Sequence, residues 1–126
     1  MKTLDSRQDI EELVNSFYEK VVEDETIGFF FNDIVKVDWE KHLPKMYSFW
    51  ETILFGQMSY KGNPMGAHFP INEIEALEKK HFERWLELWK QTIEENFTGK
   101  NAELALYKAQ NIAQLMAFKM DLARKL

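Results

Sequence analysis

HFERWLELWKQTIEENF, residues 81–97, determines the class of fold. Its apolar side chains recur every three or four residues, which is the spacing of one face of an amphipathic helix, and the pattern stops at Gly99. It predicts a long third helix with a start between Asn72 and Glu78. The apolar positions are Phe82, Trp85, Leu86, Trp89, Ile93 and Phe97.

A fourth helix is predicted after Gly99, over about 101–125. Its predicted core positions are Leu104, Tyr107, Ile112, Leu115, Met116, Phe118 and Leu122. The chain contains no repeat, low-complexity tract or strand-like alternation. We therefore expect one all-α domain over 1–126.

Two more helices are predicted upstream. Ser6 and Asp9 form a capping box at the start of a first helix over about 7–24. Asp38 is placed to cap a second helix that ends at Gly56. The apolar face of the second helix comprises Trp39, Leu43, Met46, Phe49, Trp50, Ile53 and Leu54, and Pro44 should kink its start.

The intervening segments are irregular in sequence. Gly28 precedes three phenylalanines at 29–31, for which we expect a tight corner or one helical turn. Residues 57–72 hold two glycines and two prolines, so only a single helical turn is expected there, around His68. This organisation is typical of an all-α domain with an interior guest, or of a plain helical bundle.

Composition excludes several function classes. The net charge is -5, with no basic stripe, which disfavours nucleic-acid binding. There is no cysteine, so thiolate chemistry and cysteine-based metal sites are excluded. No stretch approaches a membrane span or a signal peptide, and a cytoplasmic location is expected. Aromatic residues make up 14% of the chain, a high fraction that implies a large flat packing partner, even if only the aromatics themselves.

Only three histidines, His42, His68 and His81, are available as metal ligands. No pair has the spacing of a zinc hydrolase motif. From spacing alone, Tyr18 and Trp85 are most simply core aromatics, and His42 a histidine at the edge of the core.

Taken together, seven segments resemble the group III truncated haemoglobins. The match runs in order over nearly the whole chain and comprises FYEKV at 17–21, IGFFFND at 27–33, WEKH at 39–42, FW at 49–50, YKGNPMGAH at 60–68, HFERWLELW at 81–89 and AQNIAQLMAFK at 109–119. This resemblance implies a truncated globin fold, in which a two-over-two helical sandwich surrounds haem.

The resemblance also implies roles for individual residues. His68 matches the proximal haem ligand, the only iron ligand expected from the protein. Tyr18 and Trp85 match two distal hydrogen-bond donors. His42 matches the histidine at the distal entrance, which points in or out as a gate.

The haem-binding wall implied by the resemblance is apolar. Phe31 matches the aromatic residue that packs flat on the haem, and Met46 matches a distal wall position. Phe49 and Trp50, in the FW segment, are expected to contact the cofactor as well. His81 has no assigned role.

The function implied is that of a haem b globin that binds dioxygen, CO, NO and cyanide. Two strong donors favour redox detoxification or oxygen chemistry over bulk oxygen transport. NO dioxygenase or peroxidase-like turnover would need an external reductase, because 126 residues leave no room for a flavin or nicotinamide domain. The expected protein is a monomer or weak dimer. The alternatives are a module that stores or senses a gas, and a haem-free helical interaction protein.

Overall fold

The computed structural model describes residues 1–125, so the last residue of the predicted domain lies outside the described residues. Five α-helices and one π-helical segment account for most of this chain. In order, the elements are β1 (Lys2–Thr3), α1 (Arg7–Glu23), the π-helical segment (Phe30–Ile34), α2 (Trp39–Phe55), α3 (Pro64–Ile74), α4 (Lys79–Asn96), β2 (Phe97–Thr98) and α5 (Lys100–Lys125).

The ends of α1 and α2 follow from local sequence. The capping box is confirmed: Ser6 Oγ accepts from the Asp9 backbone N–H, and Asp9 accepts from the Ser6 N–H in return. Asp38 occupies the N-cap position of α2, but its side chain makes no capping bond, so that prediction is wrong. α2 continues through Pro44 and ends at Gly56, whose φ of 72° suits glycine.

Helix α3 is the largest departure from prediction. A single turn was expected within 57–72, whereas the structure has a helix over 64–74. Pro64 occupies the first turn, where its missing N–H costs no helical bond, and the Asn63 side chain caps the Gly66 N–H at 3.0 Å. Local glycine and proline content is thus compatible with a helix when its start is capped.

The junction between α4 and α5 contains a feature that sequence patterns did not reveal. β1 pairs in parallel with β2, joining Lys2 to Phe97 and Thr3 to Thr98. α4 starts one residue after the predicted window and ends before this pair. Gly99, with φ of 98°, then turns the chain into α5, and the predicted bounds of α5 are confirmed.

The long helices pack against one another in pairs. α1 packs against α2 and α4, α4 packs against α5, and the shorter α3 packs against α5. The main core cluster centres on α1 and α4 and includes Phe17 and Trp89, both 1% exposed. A second cluster joins the π-helical segment to the C-terminal half of α5. The all-α prediction is confirmed.

The face that α5 buries differs from the predicted one. Alanines and methionines form the buried stripe, which comprises Ala102, Ala105, Ala109, Ala113, Met116 and Met120. Tyr107, Leu115, Phe118 and Leu122 are instead exposed. Small side chains let α5 approach α4 closely, and the Trp89 indole N–H donates to the Ala105 carbonyl at 3.3 Å. The buried face of α5 is therefore the one that allows close packing against α4, although larger apolar side chains lie on the other face.

Candidate functional site

A cavity of about 740 Å³ lies among the helices, within the range of small-molecule and cofactor sites. All five α-helices and the π-helical segment contribute to its lining, which is predominantly apolar. Every residue that the sequence singled out for the site lines it: Tyr18, Phe31, His42, Met46, Phe49, Trp50, His68 and Trp85. The fold thus brings together positions that are up to 67 residues apart in the chain.

His68 lies on α3 with one ring nitrogen already engaged. Its Nδ1 is 2.5 Å from the carbonyl oxygen of Pro64, one helical turn earlier. A carbonyl can only accept, so Nδ1 carries the proton and Nε2 keeps its lone pair. Such a bond holds the ring orientation and leaves a basic nitrogen for a metal.

Tyr18 and His42 form a polar pair in the cavity wall. The Tyr18 hydroxyl lies 3.3 Å from Nε2 of His42, so the imidazole points inward. Burial raises the pKa of Tyr18 well above its usual value, which keeps the phenol protonated. Burial, and then the charge of Lys45, lower the pKa of His42, so the imidazole is neutral at pH 7.

Trp85 is held by other aromatic rings. Its indole lies parallel to that of Trp89, with ring centroids 6.2 Å apart. Phe17 packs edge-on against both indoles, at 5.8 Å from Trp85 and 5.0 Å from Trp89. These contacts place the Trp85 indole in the cavity wall.

The apolar part of the wall is built in a similar way. Trp50 stacks on Trp89 at 4.5 Å, and Phe49 packs edge-on against Trp50. Phe31 stacks on Trp39 at 6.1 Å. The wall is therefore composed largely of rigid aromatic surfaces, which suit a flat apolar ligand.

Three basic residues of the lining were not assigned a role from the sequence. His81 is buried, and its Nδ1 accepts the Glu78 backbone N–H at 2.9 Å at the start of α4. The sequence did offer a signal for His81, because it lies four residues before Trp85 and therefore on the same face of α4. Lys45 and Lys61 are the lysines in the lining, and both are exposed. No sequence pattern connects them.

Two other kinds of site find no support in residues 1–125. This part of the chain has no group of three or more histidine, aspartate or glutamate side chains arranged to hold a metal ion. It also has no helix with the length and apolar run that crossing a bilayer requires.

Comparison with known proteins identifies the family. A family model described as bacterial-like globin matches residues 3–119. The chain belongs to the bacterial-like globin family. Globins are haem proteins, so the residues of the cavity can be judged against that group.

Two relatives make the placement within the globins more specific. The group 3 truncated hemoglobin of Campylobacter jejuni is 29% identical over 111 residues, covering 86% of this globin and 85% of that protein. The crystal structure of a group III truncated hemoglobin from Campylobacter jejuni superposes with a TM-score of 0.82 over 95% of each chain. The resemblance and the truncated globin fold inferred from sequence are both confirmed.

The cavity residues fit a haem group. The volume is adequate, the walls are aromatic and apolar, and the lining includes His68 of α3, whose Nδ1 is already bonded to the Pro64 carbonyl. The chain is thus a haem-binding globin in family and in the chemistry of its cavity.

Proposed function

We propose that this globin binds haem b through Nε2 of His68 and holds a diatomic ligand, dioxygen, NO or CO, beside Tyr18, His42 and Trp85. The observation that carries the proposal is the bond from His68 to the Pro64 carbonyl, which leaves Nε2 as the only basic atom of that ring. A haem-free bundle with all its aromatics packed together fits poorly with a cavity of about 740 Å³ among those same rings.

The walls would hold the cofactor by apolar contact and by charge. Phe31, Met46, Phe49 and Trp50 offer apolar surface along the cavity. At the exposed margin, the ammonium groups of Lys45 and Lys61 would meet the two carboxylates of haem b. Carboxylates at that margin would stay in contact with water, where their charge costs least.

Haem iron, when bound, would supply a coordination position and redox chemistry for the ligand. The chain's part is to stabilise negative charge on the ligand's oxygen. In the tautomer in which Nε2–H of His42 donates to the Tyr18 oxygen, the Tyr18 O–H is free for the ligand. The Trp85 indole N–H is a second donor from the wall.

Two donors would hold dioxygen tightly. Hydrogen bonds to charged groups contribute about 1.5–3 kcal/mol each, so escape of the ligand slows by orders of magnitude. Slow release suits redox chemistry, such as oxidation of NO to nitrate or the handling of peroxide, rather than bulk transport. Turnover of this kind needs an unidentified external reductase, and we place the protein in the reducing cytoplasm.

Haem reconstitution tests the proposal. The purified chain is mixed with haemin, and ferric, ferrous and cyanide-bound spectra are recorded for the parent protein, His68→Ala and His81→Ala. We expect a Soret band in the parent and in His81→Ala, and loose haem with an altered spectrum in His68→Ala. Equal haem retention in the two variants would rule out His68 as the ligand. Stopped-flow mixing of the oxygenated form with NO then separates catalysis, seen as rapid nitrate formation, from storage or sensing.

A further inference from the structure

The helix that carries His68 is weak by itself. α3 has 11 residues, and isolated helices below about 12–15 residues are marginal in water. Gly66 lies within it, and Pro70 lacks the N–H that would otherwise bond to the Gly66 carbonyl. Its position must therefore come from contacts outside the helix.

Asn72, one turn beyond His68, makes such contacts. It is 6% exposed, and its Nδ2 donates to the Met120 carbonyl of α5 at 3.0 Å. Its Oδ1 accepts the Leu77 backbone N–H at 2.9 Å. Because the first partner can only accept and the second can only donate, the orientation of the amide is fixed by its surroundings.

Arg124 completes the connection from the end of α5. Its Nη1 donates to Oδ1 of Asn72 at 2.7 Å and to the Leu77 carbonyl at 2.8 Å. Leu77 itself is buried and lines the cavity. One guanidinium therefore links α5 to α3 and to the connection that follows α3.

We propose that Asn72 and Arg124 are positioning residues that hold α3, and with it the imidazole of His68, in the orientation for iron binding. This inference rests on the proposed function. Residues 68 and 72 are separated by four positions, so both lie on one side of the helix. Fixing the Asn72 amide against α5 therefore fixes the rotation of α3, which sets where Nε2 of His68 points.

The test compares Asn72→Ala, Arg124→Ala and Arg124→Lys with Lys125→Ala. Lys125 is the matched control, because it is the next residue, its side chain is 69% exposed, and its ion pair within residues 1–125 is with Asp121. Three quantities are measured: the rate of haem transfer from the ferric protein to an excess of a haem-scavenging globin, the iron–histidine vibration of the ferrous protein by resonance Raman, and amide hydrogen exchange of residues 64–74 with and without haem.

We expect Asn72→Ala and Arg124→Ala to lose haem about 10- to 100-fold faster, the range for losing one hydrogen bond to a charged group. The iron–histidine band should shift, exchange in α3 should accelerate by about tenfold or more, and Arg124→Lys should recover part of each effect. Lys125→Ala should match the parent. Arg124→Ala remains informative if Asn72→Ala does not fold, because Arg124 lies at the end of α5.

Three results would overturn the inference, and they differ in what they say of the proposed function. If the parent shows a His68-dependent iron–histidine band that is unchanged in Asn72→Ala and Arg124→Ala, the positioning role is wrong and haem ligation by His68 stands. If the parent shows no such band, both fail. Faster exchange in α3 with an unchanged band and unchanged haem transfer would reduce the two residues to a purely structural role.

Discussion

Nε2 of His42 lies 3.3 Å from the hydroxyl of Tyr18, linking α2 to α1 across the cavity wall. Burial keeps the phenol protonated and the imidazole neutral, so either group can donate the hydrogen bond between them, depending on the imidazole tautomer. If His42 donates, the Tyr18 proton is free for a ligand. We therefore expect the pair to influence how strongly the pocket holds a diatomic ligand.

The first prediction concerns the donors. Tyr18→Phe keeps the ring and removes only the hydroxyl, so dioxygen should dissociate about tenfold faster or more, at about 1.4 kcal/mol per factor of ten. Trp85→Phe should act in the same direction, and the double variant should be non-additive, since both donors serve one acceptor. Stopped-flow displacement of dioxygen by CO measures the rates. Unchanged rates in both single variants would contradict a polar pocket.

The second prediction concerns His42 as a gate. Because burial and then Lys45 lower its pKa below the usual value of about 6.5, His42 takes up a proton only in mildly acidic solution. The charged imidazole favours water over the Tyr18 hydroxyl and should turn outward, opening the entrance. CO association should be constant above about pH 6.5 and should quicken toward about pH 5.5.

His42→Leu is the control for that profile, because leucine fills similar space without titrating. The acid acceleration should disappear in this variant while the His68-dependent spectrum persists. A pH profile that survives the substitution would place the gate at another residue.

The third prediction concerns His81 and the stability of the haem-free protein. Burial lowers the pKa of His81 more than the nearby Glu78 carboxylate raises it. Below the unfolded-state pKa of about 6.5, the unfolded chain therefore binds more protons than the folded one, and the free energy of unfolding falls with falling pH. The contribution of His81 has a slope of at most about 1.4 kcal/mol per pH unit.

Urea unfolding of the parent, His81→Gln and His81→Ala between pH 7.5 and pH 5, about 1.5 units below the reference pKa, measures this effect. Glutamine can accept the Glu78 N–H without titrating, so His81→Gln should lose less stability in acid than the parent. His81→Ala should lose the acceptor at every pH, at about 0.5–2 kcal/mol. Identical acid slopes in the parent and His81→Gln would refute the assignment.

The fourth prediction tests which face of α5 is buried. Ala109 is 0% exposed, whereas Leu115 on the same helix is 51% exposed. Ala109→Leu should overpack the interface with α4 and lower the free energy of unfolding by about 1–3 kcal/mol. Leu115→Ala should change it by less than about 0.5 kcal/mol. Thermal or urea unfolding measures both changes. A larger loss of stability in Leu115→Ala than in Ala109→Leu would mean that the large apolar side chains form the buried face of α5.

The fifth prediction concerns the lysines at the cavity margin. Exposed ion pairs contribute about 0.2–1 kcal/mol each, so Lys45→Ala with Lys61→Ala should speed haem loss only a few-fold. The effect should shrink with added salt, which screens exposed charges. Lys41→Ala, an exposed lysine of α2 outside the cavity lining, is the control. Equal rates of haem loss in Lys41→Ala and the double variant would show that the charges of Lys45 and Lys61 do not help to retain haem.

The sequence predicted the structure correctly where a local pattern is compatible with only one conformation. The capping box at Ser6 and Asp9 and the apolar periodicity from Phe82 to Phe97 predicted the start of α1 and the body of α4. The ordered NPMGAH and HFERWL segments identified the family. In each case the information lies within a few residues, so the fold is not needed to read it.

Three features required the tertiary structure. The helix around His68 is stabilised by Asn72 and α5, although its own glycine and proline content argues against it. α5 has apolar residues on two faces, and only its close approach to α4 selects the alanine stripe over residues such as Phe118.

The inward orientation of His42 is the third feature that required the tertiary structure. Its partner Tyr18 lies 24 positions earlier on another helix, so no local pattern could specify the contact. Local sequence determined the four long helices and which side chains can ligate or donate, because capping and periodicity act within a few turns. Burial, register and the direction of each side chain depend on contacts between distant segments, and only the packed helices supply those.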